Sequence, residues 1–181
     1  TMSDYDSHAM YCAMDDDDPI ALDKTVPDYH DANRNAHMVK TAFNSRRFAI
    51  LSHLMDNGVD LDVCNLAGRL DKAYTRDDQD TMNFILNSCH VSMIHIKRPL
   101  QMALYRHDSA HVKQFLHAIP GVLIDPGKIG AVISSLYKVD KDTSFEVLSG
   151  LMKPEMAGIF MDALQEAEKS QLNTVLRAPS P

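Results

Sequence analysis

Nine His, three Cys and 25 acidic side chains offer the raw material for metal or acid–base chemistry, so their spacing is the first question. His107 and His111 stand four apart, which on one helix would put two imidazoles on a common face as a zinc pair. No Glu follows His107 to give HExxH, and the surrounding pattern places a turn between the two His. A metal site is therefore not expected. Cys64 and Cys89 could serve as nucleophiles only with a His and a carboxylate converging on them. Cys64 falls in a loop, and Cys89 ends a helix with His90 adjacent in sequence rather than across a cleft. There is no phosphate-cradling Gly loop and no GxSxG elbow among seven scattered Gly. No catalytic residue, metal or cofactor is assigned. Pairs such as Asp77-Asp78 read as turn residues.

Composition narrows the class. The net charge of −7 lies in residues 1–35, where nine Asp face Lys24 and Arg34. The other 16 acidic and 16 basic side chains cancel, so no large basic face offers itself to phosphate backbones, and nucleic acid is not expected as a partner. Three Cys without CxxC spacing suit neither a disulfide framework nor a zinc knuckle. A reducing compartment, the cytoplasm, is the expectation. No apolar run approaches the roughly 20 residues of a membrane span, and the start lacks the basic and apolar regions of a secretory signal. Thr1 before Met2 reads as a residue left by an expression tag.

Positioning must come from helices: Leu, Met, Ala and Ile dominate the apolar residues, and Trp is absent. Residues 1–35 carry the run Asp15-Asp16-Asp17-Asp18 and are expected to form an acidic, flexible tail. From about 36 the chain repeats. A 30-residue shift places Leu70 on Leu100, Ala73 on Ala103, Arg76 on Arg106 and Asp78 on Asp108. It also places Met82 on Val112, Ile85 on Phe115 and Leu86 on Leu116. A 31-residue shift aligns Val39, Ala42, Ile50, Leu51, Leu54 and Met55 with the same pattern. A fourth, longer unit is expected over 129–152 and capping helices over 154–181. Each helix is too short to stand alone, so stacking must bury the apolar stripes.

Arg98-Pro99-Leu100-Gln101-Met102-Ala103-Leu104, Val112-Lys113-Gln114-Phe115-Leu116 and Leu54-Met55-Asp56-Asn57-Gly58-Val59-Asp60-Leu61 resemble the ankyrin repeat: its first helix, its second helix, and its helix end and loop. The resemblance implies an all-α fold, an α-solenoid of about four ankyrin-like helix pairs over 36–153, closed by a C-terminal helical cap. The family's Gly-His turn is replaced by His107-Asp108, Asp77-Asp78 and Arg46-Arg47. Asp and His tolerate a left-handed backbone better than Arg. Leu66 and Ile96 replace the loop Gly.

The family resemblance further implies a module that binds another protein through a concave face and does no chemistry. Asn65, Ala67, His95 and Lys97 would be exposed finger residues. Asn44, Ser45, Thr75, Arg76, Tyr105 and Arg106 would follow the small Ala positions of the first helices, with Met102 also facing outward. Met55, Met82 and Met152 fall on the core stripe. The basic cluster of Arg76, His95, Lys97, Arg98 and Arg106 implies a partner with an acidic patch, or a resting place for the protein's own acidic tail. A monomer is expected. The alternatives are a Cys/His hydrolase or transferase, or the targeting module of a secreted bacterial effector enzyme, which would act in a host cytoplasm.

Overall fold

The computed structural model describes residues 4–119, with Gln165 and Lys169. The expected helix pair at 129–152 and the cap at 154–181 lie outside the described residues. One turn geometry recurs four times. Asp17, Arg46, Asp77 and His107 each take a left-handed φ of 51–58°. The next residue's N–H reaches back five positions to an Ala carbonyl: Asp18 to Ala13, Arg47 to Ala42, Asp78 to Ala73 and Asp108 to Ala103, all at 2.8–2.9 Å. This is a Schellman ending, which satisfies carbonyls that a helix C-terminus otherwise leaves open. The closing residue is at once the N-cap of the following helix, so one turn ends one helix and starts another.

The helices joined this way are α1 (Asp4–Asp15) with α2 (Pro19–Thr25), α3 (Ala32–Asn44) with α4 (Phe48–Asp56), α5 (Leu66–Thr75) with α6 (Gln79–Ser88), and α7 (Met93–Tyr105) with α8 (Ser109–His117). A 3₁₀ turn spans Leu61–Cys64. Among the described residues there is no strand, and the fold is all-α. Two compact units divide the chain, Thr1–Cys89 and His90–Pro181.

In the first unit each helix packs on its pair-mate, α2 also meets α4, and the 3₁₀ turn sits against α3, α4 and α5. Met38, Ile50, Leu51, Leu54, Leu70, Met82 and Ile85 are fully buried. Phe84 stacks on Phe48 at 5.2 Å and meets Phe43 edge-on at 6.3 Å. In the second unit Ile96, Leu100, Val112, Phe115 and Leu116 are fully buried. The recurring Ala42, Ala73 and Ala103 are buried in each pair.

Three expectations are corrected. Residues 4–35 are not a solvated leader, because α1, α2 and the C-cap of α2 bury Met10, Ala13, Met14, Leu22 and Val26. The acidic run that suggested disorder is spent on helix ends. Asp18 accepts from the N–H groups of Ile20 and Ala21 at 3.1 Å. Asp17 reaches into the next pair and accepts from the N–H of Ile50 at 2.9 Å. That replaces the cap missing at Arg47, whose side chain makes none. Asp17 and Asp18 therefore hold helices. Arg46 does adopt the left-handed turn, and its guanidinium bridges to Asp78 and Asp80 of the following pair, both at 2.9 Å.

The finger loops are the third correction. The helices begin early: Asn65, left-handed at φ 58°, caps α5 by accepting from Gly68 N–H, and Leu66 is buried as its first residue. At α7 the Ser92 N–H donates to His95 Nδ1 at 3.0 Å, one half of a capping box, and Ile96 is fully buried. Without loop Gly, the chain winds into helix where a hairpin would stand. Pro99 thus lies inside α7 rather than at its first turn.

Candidate functional site

Arg69 and Lys72 on α5 and Arg76, its C-cap, follow one another at steps of three and four, the spacing of one helix face. Across from them stands the C-terminal end of α3. The resulting groove, about 300 Å³, is lined by Phe43, Asn44, Arg46, Arg69, Lys72 and Arg76, with Ala73, Asp78 and Thr81 completing it. Two of its four cations are braced. Arg69 donates to Asn44 Oδ1 at 2.6 Å and lies over the Phe43 ring, 5.4 Å from its centre. Arg46 is held by Asp78 and Asp80. Lys72 and Arg76 are exposed, and their side chains have no hydrogen-bond or ion-pair partner among the described residues.

Asp78 is the one carboxylate in the lining, and its acceptor oxygens are occupied. It takes the Thr81 hydroxyl at 2.6 Å, the Thr81 N–H at 3.2 Å and Arg46 at 2.9 Å. Burial pushes its carboxyl up, but the Thr81 hydrogen bonds and Arg46 outweigh that and hold it below the ordinary carboxylate value. Asp78 is therefore ionised at neutral pH and, with Asp80, offsets part of the groove's positive charge.

Of the residues expected to bind, Asn44 and Arg76 share this groove. Ser45 is the exposed cap of α3, and the Thr75 hydroxyl donates to the Asp71 carbonyl at 2.9 Å; neither lines the groove. Asn65 is exposed but occupied as a helix cap. In the second unit His95 is buried at 9% exposure, so it presents no surface to a partner, while Lys97, Tyr105 and Arg106 are exposed on α7 and its end. Met102 is 43% and Tyr105 61% exposed, three residues apart. Sequence reasoning missed Arg46, Arg69 and Lys72. The Arg69, Lys72, Arg76 spacing was the available signal.

A second cluster joins residues 6 to 30 apart. Asp23 on α2 accepts from the Tyr29 hydroxyl at 2.5 Å and pairs with His53 Nε2 at 2.7 Å. Tyr29 and His53 rings meet edge-on at 5.7 Å. Asp23 is held below the ordinary carboxylate value, first by Tyr29 and then by His53. Burial, then Asp23, push the Tyr29 hydroxyl above its usual value. The three fasten α2 and the following connector to α4.

The thiols are differently placed. Cys64 Sγ donates to the Ala36 carbonyl at 3.2 Å, and Cys89 Sγ lies 4.0 Å from Met55 Sδ. Burial, then nearby Asp62, push the Cys89 thiol from 9.0 to about 11. Neither Cys64 nor Cys89 contacts an imidazole in these bonds; Cys12 does, with Sγ 3.6 Å from His8 Nε2 on the exposed face of α1. Because only the thiolate reacts, a rise of this size leaves about a hundredfold less thiolate at pH 8. Cys89 should be alkylated by iodoacetamide about a hundredfold more slowly in the folded chain than in urea, read by peptide mass spectrometry. Equal rates would show that burial does not suppress the thiol, and a faster rate in the folded chain would show an activated one.

His107 and His111 flank the turn before α8, and His111 Nδ1 bonds Asp108 Oδ2 at 2.7 Å. Among the described residues no group of three metal-ligating side chains gathers, and no helix is long and apolar enough to cross a membrane. No protein-family model, no curated protein and no solved structure matches the chain.

Proposed function

We propose that this chain is a degenerate ankyrin-like solenoid that binds an acidic segment of a partner protein and carries out no catalysis. It acts as a monomer in the cytoplasm, its own or that of a host cell, and needs no cofactor. The observation that carries this reading is the groove between α3 and α5, lined by four cations of which only Arg46 is paired with carboxylates, Asp78 and Asp80. Support for the repeat comes from the fourfold turn with its shared Ala, Schellman ending and N-cap. Short helix pairs built on one turn are how a stacked repeat buries stripes that no single pair can cover. Of the groove residues, Asn44 and Arg76 follow the small Ala42 and Ala73 at the ends of first helices, Arg69 and Lys72 precede Ala73, and Arg46 lies in the turn after α3.

A fluorescent ten-residue peptide rich in Asp and Glu, titrated by anisotropy, tests this. The intact chain should bind it with a salt-dependent affinity, as exposed charges require. Lys72→Glu with Arg76→Glu should weaken binding about a thousandfold, since each anchor lost contributes about thirtyfold. Both side chains are exposed, so far-UV circular dichroism should not change. Native affinity in the double variant would refute the assignment.

A further inference from the structure

We propose that the anion seated in the α3–α5 groove is the phosphate of a phosphorylated Ser or Thr, carried on the partner's acidic segment. The inference rests on the reading that this groove binds a partner, and it specifies what the groove recognises there.

Charge count is the first argument. Arg46, Arg69, Lys72 and Arg76 line one hollow, and the only carboxylate among the lining residues, Asp78, is already hydrogen-bonded by Thr81 and Arg46. Asp78 and Asp80 both pair with Arg46, so the charge left over is that of two cations, and a monoanionic carboxylate would neutralise only half of it. A phosphomonoester brings a charge of about −1.5 to −2 and three strong acceptor oxygens to one point. Self-repulsion among the cations falls most for a compact dianion at their centre.

Preorganisation is the second. Arg69 is fixed on both sides, by Asn44 Oδ1 at 2.6 Å and by the Phe43 ring beneath it. Only one of its two terminal nitrogens is used in the Asn44 bond. A planar guanidinium held in place has little side-chain entropy left to lose, and its remaining donors match adjacent phosphate oxygens. Arg46 is held in the same manner by Asp78 and Asp80. Against these braced groups, Lys72 and Arg76 are exposed and unpartnered among the described residues. Fixed guanidinium groups with free cations beside them suit capture of one discrete anion.

Size and surroundings favour a protein-borne phosphate over a polymer of phosphates. The hollow of about 300 Å³ has room for a phosphate and the side chain bearing it. Nucleic-acid grooves add exposed aromatic platforms for bases, whereas Phe43 is 5% exposed and covered by Arg69.

The test uses the full chain and three fluorescent peptides of one acidic sequence, with Ser, Glu or phosphoserine at the centre. Anisotropy should show the phosphoserine peptide binding at least tenfold tighter than the Glu peptide, with the Ser peptide weakest. Millimolar inorganic phosphate should displace it, and sodium chloride of equal ionic strength should not. Arg69→Lys keeps the charge but loses the planar donor pair, so it should erase the phosphoserine preference while the Ser peptide still binds. Equal affinity for the Glu and phosphoserine peptides would overturn the phosphate assignment and leave the acidic-segment reading standing. Failure of all three peptides would overturn both. Cosedimentation with phosphoinositide vesicles, with no binding of the phosphopeptide, would assign the groove to a membrane surface instead and overturn the proposal.

Discussion

Deleting residues 1–31 is expected to unfold most of the Thr1–Cys89 unit. Met10, Met14, Leu22 and Val26 are buried at 3% exposure or less. Truncating one buried Leu or Met to Ala costs about 2–5 kcal/mol, and whole domains are stable by only about 5–15 kcal/mol. Losing all four, with the Asp17 cap on Ile50 and the Asp23 contact to His53, removes a large share of that total. Leu22→Ala alone should lower the urea midpoint of unfolding by the equivalent of about 2–5 kcal/mol. Deletion without a change in melting temperature or helical signal would restore the leader as a solvated tail. Acid gives a related signature. Asp23 titrates below its ordinary 3.8 in the folded chain, so its contribution is full above that value and fades as pH falls through the lower folded one. Asp23→Asn should therefore flatten the loss of stability below about pH 4.

The repeat and much of its core could be read from spacing because apolar periodicity survives divergence of the polar positions. Leu70, Ala73, Ile85, Leu100, Ala103, Phe115 and Leu116 are all buried. The same periodicity reaches the N-terminal pair, where Ala13, Asp17 and Asp18 stand in the register of Ala42, Arg46 and Arg47, but four consecutive Asp masked it. Composition rules for disorder count charges without asking whether helix ends consume them. Asp17 and Asp18 each accept backbone N–H bonds, which converts a repelling run into caps. The finger loops misled for the opposite reason. Asn65 and Ser92 are helix starters whatever repeat surrounds them, and Leu66 and Ile96 are apolar where a hairpin would need Gly. Local capping chemistry overrode the family pattern, and His95 went inward with it. Arg69, Lys72 and Arg76 were legible as a helix face, but Arg46 and Asn44 join them only through packing of α3 beside α5. The Asp23, Tyr29 and His53 contact has no sequence signature, since its members come from three separate segments.

Phe115→Ala should be among the most damaging single changes in the α7–α8 pair, costing about 3–5 kcal/mol. Its ring is fully enclosed, and it occupies the register position of Ile85 in the preceding pair, also at 0% exposure. Along α8 it stands with Val112 and Leu116 on the stripe that faces α7, where Leu100 and Ala103 are likewise closed to solvent. Removing the ring loses its transfer free energy and leaves a cavity that two short helices can only partly close. Ala103→Leu attacks the same pair in the other direction. The Ala103 carbonyl accepts from the Asp108 N–H at 2.9 Å, and three added carbons must fit where exposure is zero. That overpacking should cost about 1–3 kcal/mol. Tyr105→Ala is the control: its ring is 61% exposed, so unfolding should shift by no more than about 0.5 kcal/mol. Urea unfolding of the three variants by circular dichroism gives the order directly. If Phe115→Ala unfolds no more easily than Tyr105→Ala, the register that pairs α7 with α8 through these residues is wrong.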